Sequence, residues 1–203
     1  MNMIKEAVNG LFANIGILSA VRVTLIMATF STLISSVLGI LLGFLLEQHR
    51  FPGKRIVIRI NRTLLGIPPV VVGLIVYLLL MRKGPLGALS LLFTIRGMII
   101  AQTIIITPII TSMVYSYAVK AAPAVRMFAT TMGANNRQAK ILLMKEMKNE
   151  IYFAVVTGFG RSISEVGSVM LVGGNIEDRT RTMTTAISML KSEGIFTQGV
   201  TLG

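Results

Sequence analysis

Arg161 and Glu165 stand four residues apart inside an otherwise uncharged run, Ile151 to Ile176. On a helix that spacing puts both on one face, where guanidinium and carboxylate can pair. Two chemistries are open to them, and a third reading leaves both as uninvolved interfacial positions. A self-neutralising pair locks a helix bundle, whereas a guanidinium left exposed offers positive potential to a passing anion. A fixed cation also holds a dianion tightly, and transport requires the ion to leave again. Thr103, Thr107 and Thr111 repeat at the same spacing around Pro108. Their hydroxyls can line a hydrated path with donors, or satisfy carbonyls that the proline leaves without a partner. The chain has no cysteine, one His and eight carboxylates. That excludes a thiol nucleophile, a disulfide scaffold and any Cys-based metal site, and leaves little for a metalloenzyme. No Gly-x-x-x-x-Gly-Lys-Ser/Thr string occurs, so any ATP would be hydrolysed on another chain.

The elements that must position these residues are apolar. Of 203 residues 53% are hydrophobic and 14% charged, against about 25% charged in a soluble domain. Val23 to Leu46, Thr63 to Met81 and Gly97 to Val119 carry no ionisable side chain over 24, 19 and 23 residues. A bilayer core needs about 20 helical residues, so these are three spans, and 151–176 is the fourth. The fold class is an all-α polytopic membrane protein. The first span is too long for a signal-peptide core and is expected to stay. Residues 1–22 read as an interfacial amphipathic helix or an extended lead-in. Residues 86–95, apolar but ten long, suit a re-entrant or interfacial segment. Residues 195–203 read as the opening of a truncated fifth span, with a short uninserted tail as the alternative.

The net charge of +12 has a location. The loops 47–62 and 120–148 lie on one side of the spans and hold 11 Lys/Arg, against 8 on the other side. The positive-inside rule places the richer side in the cytoplasm and the N-terminus outside. Nucleic-acid binding is disfavoured, because these cations flank spans and lack interleaved aromatics. The loop 120–150 has helical composition over 124–132 and 137–150, interrupted by Gly133-Ala134-Asn135-Asn136. Gly supplies the positive φ of a sharp helix end and Asn a good N-cap, which gives a helix, a tight turn and a helix. Its apolar residues Val125, Phe128, Met132, Ile141 and Leu142 face either the protein itself or a partner. Ser31, Ser35, Gly39 and Gly43 make a small-residue ridge on the first span, and Gly160, Ser164 and Ser168 another on the fourth, both suited to close helix packing.

Met127-Phe128-Ala129-Thr130-Thr131-Met132-Gly133-Ala134 resembles the cytoplasmic signature of ABC-importer membrane subunits. Ala129, Gly133 and Ala134 fall on that signature's positions, while Met127 replaces its leading Glu and Lys145-Glu146 its distal Leu-Pro. Gly66-Ile67-Pro68-Pro69-Val70-Val71-Val72-Gly73, Gly84-Pro85-Leu86-Gly87 and Gly158 to Gly167 resemble the molybdate/tungstate branch, as do Gly173-Gly174-Asn175-Ile176, Thr180, Thr182, Ala186 and Ile187. The string Gly160-Arg161-Ser162-Ile163-Ser164-Glu165-Val166-Gly167 is nearer the tungstate members.

The resemblance implies a type I importer permease domain, single over 1–203, without enzymatic activity. On this resemblance it would act as a homodimer with two cytoplasmic ATPase subunits, which bind ATP and Mg, and an extracytoplasmic oxyanion-binding protein. It would lie in the cytoplasmic (inner) membrane, and the implied cargo is a tetrahedral oxyanion, tungstate first, moved by alternating access. Molybdate or another oxyanion is the nearest rival; a stand-alone secondary transporter or channel would more often show an inverted repeat, and none is visible. The loop 120–150 would then carry the coupling helix, with Ala129, Gly133, Ala134, Asn135 and Arg137 meeting the ATPase, an element with two discrete arrangements.

Overall fold

A computed structural model describes residues 15–194. The segments 1–14 and 195–203, which hold most of the expected N-terminal interfacial segment and the opening of a fifth span, lie outside the described residues. Every regular element is helical: α1 (Ile15–Gln48), α2 (Lys54–Leu65), α3 (Pro69–Leu80), a 3-10 turn (Gly87–Leu89), α4 (Ile95–Thr131), α5 (Asn136–Glu146), α6 (Lys148–Ile163), α7 (Gly167–Gly173) and α8 (Met183–Ser192). Two helices, α1 and α4, are long and apolar enough to cross a bilayer, and up to four spans result if α2 with α3 and α6 with α7 each count as one. In lipid the backbone must bond to itself, so apolar runs of this length become helix.

The boundaries differ from the sequence expectation in four places, each for a local reason. Residues 15–22 are no separate lead-in; they begin α1, and the only charge there, Arg22, does not interrupt it. The span expected at 63–81 is broken, because Pro68 and Pro69 disfavour helix in the residues before them and Pro69 then starts α3 at its first turn. The basic segment before it is an ordered helix, α2. The span expected at 97–119 runs on to Thr131, carrying the predicted helix 124–132 with it despite Pro108 and Pro123. The fourth span is interrupted at 164–166, so Gly160, Ser164 and Ser168 do not share one helix.

The chain forms two compact units. One comprises residues up to Ser31, Pro68–Ile104 and Arg161 onward. Its interior has two clusters, Val23, Met27, Met98 and Val169 in one, and Val76, Leu80, Ala101 and Val172 in the other. Here α3 lies against α7: a Cβ on Gly73 would sit 2.6 Å from Ser168 Cα, so only glycine permits the approach. The segment 86–95 is the 3-10 turn and an irregular strap, tied by the Phe93 amide to the Val172 carbonyl at 2.9 Å.

The other unit comprises Thr32–Ile67 and Ile105–Gly160. Its core joins Phe44, Ile106, Ile110, Val114, Ala118, Ala122, Leu143, Met147 and Ala154. Gly39 and Gly43 abut α4, where an added Cβ would lie 2.8 Å from Ile110 and Val114 respectively. The opposite side of α1 exposes Leu33, Val37, Leu41 and Leu45, which is how a lipid-facing helix differs from a soluble one.

Candidate functional site

Two places gather the residues with chemical potential. The first is the elbow between α4 and α5. Gly133 takes φ 74, a left-handed conformation that costs an L side chain roughly 1–2 kcal/mol. Around it the Gly133 amide donates to the Thr130 carbonyl at 3.0 Å and the Ala134 amide to the Ala129 carbonyl at 2.8 Å. These two bonds form a Schellman motif, which satisfies the last carbonyls of α4. Next, Asn135 Oδ1 accepts the Gln138 amide at 2.9 Å, while Gln138 Oε1 accepts the Asn135 amide at 2.8 Å. That capping box closes the start of α5. Four hydrogen bonds among six residues between Ala129 and Gln138 close the corner.

The elbow has an inner and an outer side. Ala129, Leu143 and Met147 are buried, and Val125 packs on the same core. Met127, Phe128, Met132, Ile141 and Met144 are exposed, Met127 at 73% and Met132 at 70%. Leu142 is half-buried. The predicted second helix, 137–150, stops at Glu146, and α6 begins afresh at Lys148. Gly133, Asn135 and Arg137 are exposed and Ala134 half-buried. Arg137 lies in the first turn of α5, where the helix dipole disfavours a cation. Beside the elbow an open cleft of about 400 Å³ is lined by Gln48, Arg126, Thr130, Ala134, Ala139 and Lys140. Arg126 is fixed there by Glu47, whose two carboxylate oxygens each lie 2.8 Å from Nη2.

The second place is the break between α6 and α7. Arg161 Nη1 lies 2.7 Å from Glu165 Oε2, and the Glu165 side chain is 5% exposed against 33% for Arg161. The pair forms across the end of a helix rather than along one face, because α6 has stopped by Ile163. Glu165 Oε1 accepts the Ser168 amide at 3.2 Å. Thus one carboxylate serves the guanidinium and the open start of α7. Its own carbonyl accepts the Thr184 hydroxyl at 2.8 Å. Gln102, fully buried, donates to Ser168 Oγ at 3.5 Å, and its Oε1 has no partner among the described residues. Ser162 Oγ meets Ser31 Oγ at 3.0 Å.

The remaining candidates are dispersed. Thr103 donates to the Ile99 carbonyl at 2.8 Å, Thr107 is half-buried, and Thr111 is buried with a hydroxyl that has no hydrogen-bond partner among the described residues. Ser31 and Ser35 are fully buried. The described residues hold no group of three His, Asp or Glu that could bind a metal. Sequence reasoning missed Gln102, Glu47 and the Thr182–Thr185 capping box that starts α8. For Gln102 the signal was an amide inside an uncharged run; for Thr182 it was the S/T-x-x-polar spacing of a helix start.

No protein-family model matches the chain. It is 40% identical over 173 residues to the tungstate uptake system permease protein TupB of Peptoclostridium acidaminophilum, covering 85% of this chain and 76% of that protein. It is 38% identical over 193 residues to a probable anion ABC transporter permease protein of Haloferax volcanii, covering 92% and 83%. The TupB of Campylobacter jejuni is 34% identical over 199 residues, covering 98% and 83%.

Proposed function

The chain belongs to the family of tungstate and other anion ABC transporter permease proteins, an integral membrane family, and from that premise we propose that it is the membrane subunit of an ATP-driven tungstate importer. Two copies form the conduit in the cytoplasmic membrane, with the N-terminus outside and the basic loops inside. An extracytoplasmic protein delivers the oxyanion, and cytoplasmic subunits bind ATP and Mg and hydrolyse the nucleotide. This chain contributes no catalysis; it moves the anion by alternating access.

The observation that carries the coupling half of this reading is the α4–α5 elbow. A movement is transmitted best by an element that cannot absorb it, and this corner has its helix ends closed by its own backbone and caps. It presents an apolar outer side and two cations, Arg137 and Lys140, which form no ion pair among the described residues. That chemistry suits a groove with an apolar floor and an acidic rim on an ATP-binding subunit. The Arg161–Glu165 pair, by contrast, has both carboxylate oxygens engaged, which supports a role in holding the α6–α7 break over direct contact with cargo. Thr103, Thr107 and Thr111 remain candidates for lining the path.

The test is co-purification from detergent with the co-expressed ATP-binding subunit, followed by reconstituted tungstate uptake. Nucleotide-dependent uptake by the assembled complex is the expected result. Recovery of the chain alone with uptake independent of nucleotide would overturn the reading, and uptake of molybdate in preference to tungstate would correct the cargo.

A further inference from the structure

Among the described helices α2 alone buries no residue. Down its axis the side chains fall into three sectors. The first faces its own unit: Asn61 Nδ2 donates to the Pro108 carbonyl at 3.2 Å. Lys54, at its start, lies with Nζ 5.8 Å from the Tyr115 ring centroid and donates to the His49 carbonyl at 3.1 Å. The second holds Arg55, Arg59 and Arg62, all exposed and in no ion pair among the described residues. The third, opposite the arginines, holds Ile56, Val57, Ile60 and Leu64, which are 41–61% exposed.

The charge has no local answer. No Asp or Glu occurs between Glu47 and Glu146. The helix is joined to the membrane-crossing α1 by a short turn through Pro52 and Gly53, the latter at φ 87. An aliphatic sector opposite three guanidiniums, held at the end of a spanning helix, is what lying in the membrane interface requires. The aliphatic side enters the acyl boundary while the cations stay level with phosphate. Beside the first turn opens a cleft of about 610 Å³ lined by Arg50, Phe51, Lys54, Arg55, Ile56 and Tyr115. Its walls combine cations with two aromatic rings, the pairing that suits a headgroup entering from the boundary.

We propose that α2 is a binding site for anionic phospholipid, with the headgroup phosphate in the Arg50–Lys54–Arg55 cleft and acyl chain beside Ile56 and Ile60. The inference depends on the chain spanning a bilayer and is independent of its cargo.

The experiment uses the full chain in nanodiscs of phosphatidylcholine with phosphatidylglycerol, with retained lipid read by mass spectrometry. A basic residue at an anionic surface is worth about fivefold in binding, so R55Q/R59Q/R62Q is expected to lower phosphatidylglycerol enrichment by at least about tenfold, while K120Q leaves it unchanged. The chain lacks cysteine, so a polarity-sensitive label on Ile60→Cys and on Arg59→Cys gives a second readout that removes at most one charge. An apolar environment at position 60 and an aqueous one at 59 is the expected result. Equal enrichment in wild type and triple variant, or water at both labels, would overturn the proposal. Displacement of the lipid by inorganic phosphate would mark a free-anion pocket instead, and disulfide formation between two Ile60→Cys chains would assign the face to a second copy.

Discussion

Glu165 and Ser168 are joined across the gap between α6 and α7, the carboxylate Oε1 accepting the Ser168 amide at 3.2 Å while Oε2 holds Arg161 at 2.7 Å. The carboxylate thereby satisfies one amide, that of Ser168, which an unbroken helix would have bonded for itself.

Arg161→Gln leaves that buried carboxylate without its counter-charge. Because Arg161 is one-third exposed, the cost is expected near the lower end for a broken ion pair, about 2 kcal/mol. Glu165→Gln keeps an acceptor for Ser168 and is expected to cost about half as much. Thermal unfolding in detergent of both single variants and the double variant gives the coupling energy directly. A coupling near zero, with uptake lost in fully assembled Arg161→Gln, would move the guanidinium into the conduit.

Gly133 separates conformation from space. A Cβ there meets nothing within 4 Å, yet φ is 74. Gly133→Ala is therefore expected to cost about 1 kcal/mol and retain uptake. Gly133→Pro cannot adopt that φ and loses the bond to Thr130, so it should insert normally while the partner subunits hydrolyse ATP without uptake. Paired assays of ATPase rate and tungstate accumulation in vesicles distinguish the two. Normal coupled uptake by Gly133→Pro would remove the elbow from the mechanism.

Asn135→Ala opens the start of α5. Loss of an N-cap typically costs about 1 kcal/mol, and here the Asn135 amide also depends on Gln138. Faster hydrogen exchange at 136–139, with unchanged exchange in α1, is the expected signature. Uniform acceleration along the whole chain would show that the cap supports global stability instead.

The glycines of α1 and α6 form an internal contrast. Gly39→Ala and Gly43→Ala place a methyl 2.8 Å from Ile110 and Val114, and overpacking of this kind costs about 1–3 kcal/mol. Gly160→Ala meets nothing within 4 Å and gains helix propensity, so its melting temperature should stay the same or rise. Equal melting temperatures for all three variants would contradict the close approach of α1 to α4.

The long apolar helices were legible because lipid imposes a simple rule on composition, and the uncharged runs within α1 and α4 obey it. The Gly133–Asn136 corner was legible too, since positive φ and side-chain capping are local demands that particular residues answer. The breaks were harder. Pro68-Pro69 stood inside an apolar run whose hydropathy alone still read as one span. The run through Glu165 looked continuous because i, i+4 spacing pairs charges equally well along a helix or across its end. The ordered helix α2 was hidden because its sorting appears only when position is plotted around an axis; counted by composition it is merely basic. Gln102 was marked only by being an amide inside an uncharged run, since its partner Ser168 comes from distant sequence.

The closed elbow also limits how anything can hold it. Gly133, Ala134, Asn135 and Gln138 have already committed their amides, so a binding groove finds little main chain to bond there and must read shape through side chains. Three of the exposed ones are Met127, Met132 and Met144, unbranched thioethers that refill an altered groove by changing rotamer. In the proposed coupling role, such a joint would fix the angle at which force passes while leaving the fit forgiving. On the proposed function, small changes in the facing groove would therefore be tolerated before the connection fails.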